Sequence, residues 1–270
     1  GIEASQSSFF YLLNDLVEAT YEKYGKKVVL LVDDYDKPII DHLDEPELAE
    51  ANQAAILELF SFVKDSGSYF EMVFFNPDGS RSLCGNGSRC AVHFARELGL
   101  ADDRGRFVTT DGSHDFKFRE KDVVSISMHD VKEIRQLEDH HFVHTGSPHL
   151  IVETDDLNAV QIEKEGRALR NHPDFMHSGG TNVNFVKRRA DGSVDVRTYE
   201  RGVEAETLSC GTGVTAVALA LGSKDSPQNE ISLHTKGGVL TVSYTALKNG
   251  FTNIWLSGPV RKIFTGIYHA

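Results

Sequence analysis

The chain has 270 residues, of which 40% are hydrophobic and 25% charged, an ordinary globular composition with room for one large domain or two smaller ones. Its formal net charge of -12 excludes a broad nucleic-acid or anionic-membrane surface, while leaving space for a local basic pocket that takes a small anion. No run reaches the ~18 apolar residues of a membrane span, and the start Gly1-Ile2-Glu3-Ala4 lacks the basic-then-apolar order of a signal peptide.

A soluble, cytoplasmic protein is therefore expected, with its start read as a processed end or an unusual native one. Three cysteines are too few, and odd in number, for a secreted disulfide framework. Their value must lie in position.

In chain order, Val28 to Val32 reads as a buried strand, and Phe70 to Phe75 as another running into the turn Asn76-Pro77-Asp78-Gly79. Between them, Glu47 to Val63 carries helix formers with apolar spacing through Leu48, Ala51, Ala55 and Leu59, so propensity favours a helix. Downstream come short β-like segments: Phe142-Val143, Leu150 to Val152, Val183 to Val186, Val194 to Tyr199, Gly238 to Tyr244 and Asn253 to Leu256. Many short strands with few helices predict an α+β protein.

The informative feature is an internal echo. Cys84-Gly85-Asn86-Gly87 precedes an apolar, helix-length run ending at Gly99, and Cys210-Gly211-Thr212-Gly213 precedes a second run ending at Gly222, each final glycine falling where a helix C-cap is expected. A strand precedes each motif. The doubling predicts two similar lobes, residues 1–130 and 131–270, with the boundary near 125 to 140 and the C-terminus free to return to the first lobe.

A cysteine at the mouth of a helix, followed by glycines, meets N–H donors and the positive end of the helix dipole. That environment lowers a thiol pKa and cradles a carboxylate. Two such sites facing each other would let a thiolate remove a proton from one side of a carbon while a thiol returns one to the other, inverting a stereocentre. A redox pair or a disulfide between Cys84 and Cys210 is the competing reading, and Cys90, inside the apolar run, is expected to pack in the core. No pyridoxal phosphate lysine stands out and no metal is expected: no second cysteine lies two to four residues from the first, and His140, His141, His144 and His149 lack ligand spacing. Asn182 and Asn184 share one side of a strand with Val183 opposite. Glu200 beside Arg201 suits an ammonium and a carboxylate, or forms a surface ion pair. Thr145-Gly146-Ser147-Pro148-His149 reads as a turn.

Together the segments Asn76-Pro77-Asp78-Gly79-Ser80, Cys84 to Cys90, Thr145 to His149, Gly180 to Phe185 and Arg197 to Gly213 closely resemble diaminopimelate epimerase, from about residue 68 to the C-terminus. The resemblance implies two pseudo-symmetric α+β lobes, each a β-sheet wrapped around a central helix, with the active site in the cleft. It implies interconversion of LL- and meso-diaminopimelate, in lysine and peptidoglycan precursor synthesis, by a two-base mechanism that needs no cofactor. Cys84 and Cys210 match the base and acid. Asn76, Asn182, Glu200 and Arg201 match substrate contacts, and Gly85-Asn86 with Gly211-Thr212 the carboxylate cradle.

The first 67 residues depart from that pattern. The nearest match to the family's opening motif is Leu13-Asn14-Asp15-Leu16, and to its second segment Ala51-Asn52-Gln53-Ala54, which makes Asn14 and Gln53 candidate substrate contacts and turns the segment near residue 56 into a strand. The substrate expected is a small amino acid, without nucleic acid or membrane partners, and a homodimer is the commonest assembly. The rival readings are a racemase or epimerase of another amino acid on the same fold, such as a hydroxyproline-type member, and a non-catalytic binding or redox protein with structural cysteines.

Overall fold

The computed structural model describes residues 83–109, 111–137, 139–176, 179–222 and 228–262, together with 18–19, 21–23, 25, 28–31, 47 and 70–74. The chain divides into two compact units, Gly1–Arg81 and Ser82–Ala270.

In the first unit, β1 (Val28–Leu31) pairs in parallel with β2 (Phe70–Phe74), with Val28 opposite Phe70 and Leu30 opposite Val73. Both strands fall where the apolar runs predict them. The expected helix at Glu47 to Val63 lies outside the described residues apart from Glu47, which is helical. Asn14, Gln53 and Asn76 also lie outside them.

The second unit opens with helix α1 (Gly85–Glu97) and the strands β3 (Arg104–Thr109), β4 (Gly112–Glu120) and β5 (Val123–Ser127). Then come β6 (Arg135–Leu137), β7 (His140–His144), β8 (Pro148–Glu153), helices α2 (Ile162–Arg170) and α3 (Pro173–Met176), β9 (Asn182–Arg188), β10 (Val194–Glu200) and β11 (Ala205–Thr207). Helix α4 (Gly211–Leu221) and strands β12 (Gln228–Thr235), β13 (Gly238–Leu247) and β14 (Gly250–Pro259) complete it. The strands join one sheet in the order β3-β4-β5-β14-β13-β12-β10-β9-β8-β7-β6, with β11 beside β10. The late strand β14 lies between β13 and β5, antiparallel to both.

Alternation along β9 sorts its side chains. Val183 and Phe185 pack with Ile162, Leu157 and Tyr199 in a cluster on the α2 side, while Val186 joins the core around α4. That core sets Val214, Val217, Leu219 and Leu221 of α4 against Val143, Ile151, Leu233, Val242, Ile254 and Leu256. Ten residues of α4 are buried, consistent with a helix that is apolar on all sides.

Helix α1 is amphipathic instead. It buries Gly85, Ser88, Arg89, Val92 and His93 and exposes Cys90. The expectation that Cys90 packs in the core is thus overturned: residues 88–89 and 92–93 mark the inward face, and Cys90 falls between them on the other side.

The two helices also end differently. Gly99 adopts φ +72, and the N–H groups of Gly99 and Leu100 donate to the carbonyls of Arg96 and Ala95, a left-handed cap that favours glycine. Gly222 caps α4 in extended conformation, φ -73. A β-carbon there would sit 1.8 Å from Tyr244 Oη, so Gly222 is required for room rather than for a left-handed turn.

Candidate active site

Cys84 and Cys210 are the N-cap residues of α1 and α4, both extended, with φ/ψ of -85/99 and -113/113. Cys84 Sγ accepts a hydrogen bond from Gly87 N at 3.3 Å. Immediately after each cysteine comes the glycine at which the helices touch: a β-carbon on Gly85 would lie 3.4 Å from Gly211 Cα and 2.8 Å from Leu256 Cδ2. Asn86 extends the junction by donating from Nδ2 to Ser209 O at 2.9 Å. The doubled motif is therefore one place in space, with two helix N-termini meeting over Leu256.

Arg89, one turn into α1, is 5% exposed and donates to Gly85 O at 3.1 Å and Asn86 Oδ1 at 2.9 Å. Burial pulls its guanidinium below the usual arginine range, while the Cys90 and Cys84 thiolates would favour the cation. The coupling is mutual, so Arg89 supports negative charge at Cys84.

Cys210 lies in a different environment. Its thiol is pushed up to about 12, first by burial, then by the carboxylate of Glu200; Thr212 Oγ1 at 3.4 Å and the N–H groups of Gly213 and Thr212 act in the opposite sense. The low thiol pKa expected of both cysteines is thus corrected at Cys210. Helix-terminus donors are present, but desolvation outweighs them. The site holds an asymmetric pair: Cys84 half-buried beside a cation, Cys210 buried and protonated.

Behind Cys210 runs a buried polar chain that the sequence reading missed. His149, on β8, approaches Thr212 Oγ1 at 3.0 Å and Ser147 Oγ at 2.9 Å through Nε2. Asn184 Nδ2 reaches His149 Nδ1 at 3.1 Å and Leu150 O at 3.2 Å, while Asn184 Oδ1 accepts from Thr198 Oγ1. Since Asn184 donates to Nδ1, the neutral ring carries its hydrogen on Nε2 and donates toward Thr212. His149 is held neutral, its pKa lowered to about 3 by burial, then by His144 and Arg201. Thr145 Oγ1 adds a bond to Thr212 O at 2.9 Å. Gly213 makes room for this layer, because a β-carbon there would meet Asn184 Oδ1 at 2.5 Å.

Asn182 and Asn184 share a face, as the strand alternation predicts. Asn182 Oδ1 accepts from Arg201 N at 2.8 Å, and Nδ2 donates to Pro148 O at 3.0 Å. Its amide thus fixes the backbone on which Glu200 and Arg201 stand. Glu200 Oε2 accepts from Thr207 Oγ1 at 2.9 Å, and Arg201 Nη1 donates to Gly180 O at 3.4 Å. Glu200 and Arg201 both act on this site: the first raises the Cys210 pKa and the second lowers that of His149.

Residues 141–263 match the family model described as Diaminopimelate epimerase. The diaminopimelate epimerase of Flavobacterium psychrophilum is 40% identical over 202 residues, 74% of this chain and 78% of that protein. The chain belongs to the diaminopimelate epimerase family. By class it is an isomerase, an epimerase. The diaminopimelate epimerase of Aquifex aeolicus is 39% identical over 209 residues, 73% of this chain and 74% of that one.

Solved structures give the fold. A hydroxyproline epimerase from Agrobacterium vitis superposes with TM-score 0.53 at 17% identity over 68% of this chain and 65% of that one. The Bacillus anthracis phenazine biosynthesis protein of the PhzF family gives 0.52 at 13% over 66% and 73%. The α+β, diaminopimelate epimerase-like fold is therefore the one expected. A second family model, described as Predicted AAA-ATPase, matches residues 2–76, a stretch that takes in the first 67 residues, where the epimerase pattern fades, and that contains Asn14, Gln53 and Asn76. Among the described residues no helix is long and apolar enough to cross a membrane.

Proposed function

We propose that this chain epimerises LL-diaminopimelate to the meso form with Cys84 and Cys210 as its two bases and without a cofactor. The observation supporting the proposal is the glycine-to-glycine contact of Gly85 and Gly211, the residues that directly follow the two N-cap cysteines. In the forward direction Cys84, beside Arg89, takes the α-proton as a thiolate. Cys210, with a thiol near 12, holds the proton to be delivered to the opposite face. In the reverse direction the roles exchange.

The α-proton of an amino acid is weakly acidic, so negative charge developing at the carboxylate needs fixed donors in a site shielded from water. Gly85-Asn86 and Gly211-Thr212 supply the first-turn N–H groups of two helices, which lack intrahelical acceptors. Glu200 and Arg201 are the proposed partners of the substrate's ammonium and carboxylate, held in place by Asn182. The polar chain from Asn184 through His149 to Thr212 orients the hydroxyl beside Cys210 Sγ. Asn76, Asn14 and Gln53 are proposed contacts for the rest of the substrate.

A second reading, epimerisation of another amino acid, is favoured by the match of residues 2–76 to a different family model, because this segment contains those three residues. Chiral chromatography after incubation with LL-diaminopimelate tests both readings. Meso product from the wild type, and none from Cys84→Ser or Cys210→Ser, is expected. Turnover at wild-type rate by either variant would dismiss the two-base assignment, and no product from reduced wild type would favour the second reading.

A further inference from the structure

Away from the cysteines, three metal-ligating side chains converge where β3 and β5 end and β4 begins. Asp111 lies in the β3–β4 turn, His114 near the start of β4 and His129 just after β5, with one ligand atom of each within 4.8 Å of the others. His114 Nε2 is 3.2 Å from Asp111 Oδ1, and His129 Nε2 is 3.3 Å from Asp111 Oδ2. The rings stand 4.7 Å apart.

The hydrogen-bonding pattern identifies what belongs between them. His114 is 1% exposed, and its Nδ1 lies 2.7 Å from the carbonyl of Ser127. A carbonyl only accepts, so Nδ1 carries a hydrogen, and Nε2 is the ring atom directed at the carboxylate. On the other side, Asp111 Oδ2 is buried and makes no hydrogen bond, with His129 Nε2 3.3 Å away.

Thr109 Oγ1 donates to Oδ1, and His129 Nε2 is also 3.1 Å from Asp111 O. Ligands about 2.0–2.1 Å from a tetrahedral ion stand roughly 3.3 Å apart; His114 Nε2 lies at that spacing from Oδ1 and His129 Nε2 from Oδ2, so each imidazole faces a different oxygen of the carboxylate. A histidine whose second nitrogen donates to a backbone carbonyl is the usual support of a metal ligand.

We infer that Asp111, His114 and His129 bind a divalent, zinc-type ion that clips the β3–β4 turn to the end of β5. Two imidazoles and a carboxylate fit such an ion and leave its fourth position to water. The site shares no residue with the cysteine pair and stands independently of the proposed reaction. Sequence spacing hid it: Asp111 and His114 are three residues apart, but His129 arrives only through β4–β5 pairing.

Titration of the reduced, metal-free full chain with Co2+ tests the inference. One equivalent should give the visible absorption of a four-coordinate ion with nitrogen and oxygen ligands, without the near-ultraviolet thiolate charge-transfer band that binding at the cysteines would produce. His129→Gln, at a half-exposed position, should abolish the visible band, as should Asp111→Asn. Zn2+ should raise the melting temperature of the wild type and not of His129→Gln. No visible band, a band with thiolate character, or one that survives in both variants would overturn the site.

Discussion

The α-carbon of Gly85 would lie 3.2 Å from a β-carbon placed on Gly211: the two helix N-termini meet through the absence of side chains. Gly211→Ala forces that β-carbon against Gly85 backbone and, at 3.0 Å, against Leu256 Cδ2. Overpacking of this kind destabilises by about 1–3 kcal/mol, and separating the helix ends should lower turnover beyond the loss of folded protein. Urea unfolding beside kinetics measured on the folded fraction separates the two effects.

The cysteine asymmetry predicts an order of alkylation. Exposed Cys90 should react readily with iodoacetamide, and Cys210 should be the slowest by far, read by mass spectrometry of quenched samples. Glu200→Gln removes the second cause of the high Cys210 pKa, so it should speed alkylation of Cys210 and leave Cys90 unchanged. Equal rates at Cys90 and Cys210 in the wild type would contradict the burial on which the asymmetry rests.

Stability against pH carries the same signature at both extremes. Cys210 holds its proton more tightly folded than unfolded, so its contribution is intact below the ordinary thiol value of 9.0 and is lost as pH rises toward about 12. His149 is depressed from 6.5 to about 3; its contribution is present above 6.5 and is lost as pH falls toward 3, at up to about 1.4 kcal/mol per pH unit. An imidazole resonance that does not titrate between pH 7 and 4, absent in His149→Gln, identifies the group.

Cys90→Ser should change stability by less than about 0.5 kcal/mol, as exposed substitutions do, whereas Asn184→Ala should cost about 1–3 kcal/mol by leaving buried partners unpaired. Thermal or urea unfolding of the two variants checks both values. A large loss for Cys90→Ser would place that thiol in a packed interior.

The functional centre was legible because its signal is contiguous. Cys-Gly-x-Gly before a helix-length run carries its own local physics, and its repetition pointed to a paired site. The role of His149 was hidden because its partner Thr212 is 63 residues away and only the β7–β8 pairing brings a turn-like segment onto α4. Gly222 shows the opposite limit: a helix-ending glycine looks like a left-handed cap, yet contact with Tyr244, from β13, determines it. The position of Cys90 depended on which face of α1 is covered, and helical periodicity in an apolar run with both sides plausible does not decide that.

The most direct test of the two-base account is incubation of the reduced protein with LL-diaminopimelate in D2O, with no cofactor added, followed by NMR at the α-carbon and chiral chromatography. The account predicts deuterium at the inverted α-carbon together with meso product, both lost in Cys84→Ser and in Cys210→Ser. Meso product retaining the original α-hydrogen, or formed only when a cofactor is added, would contradict it.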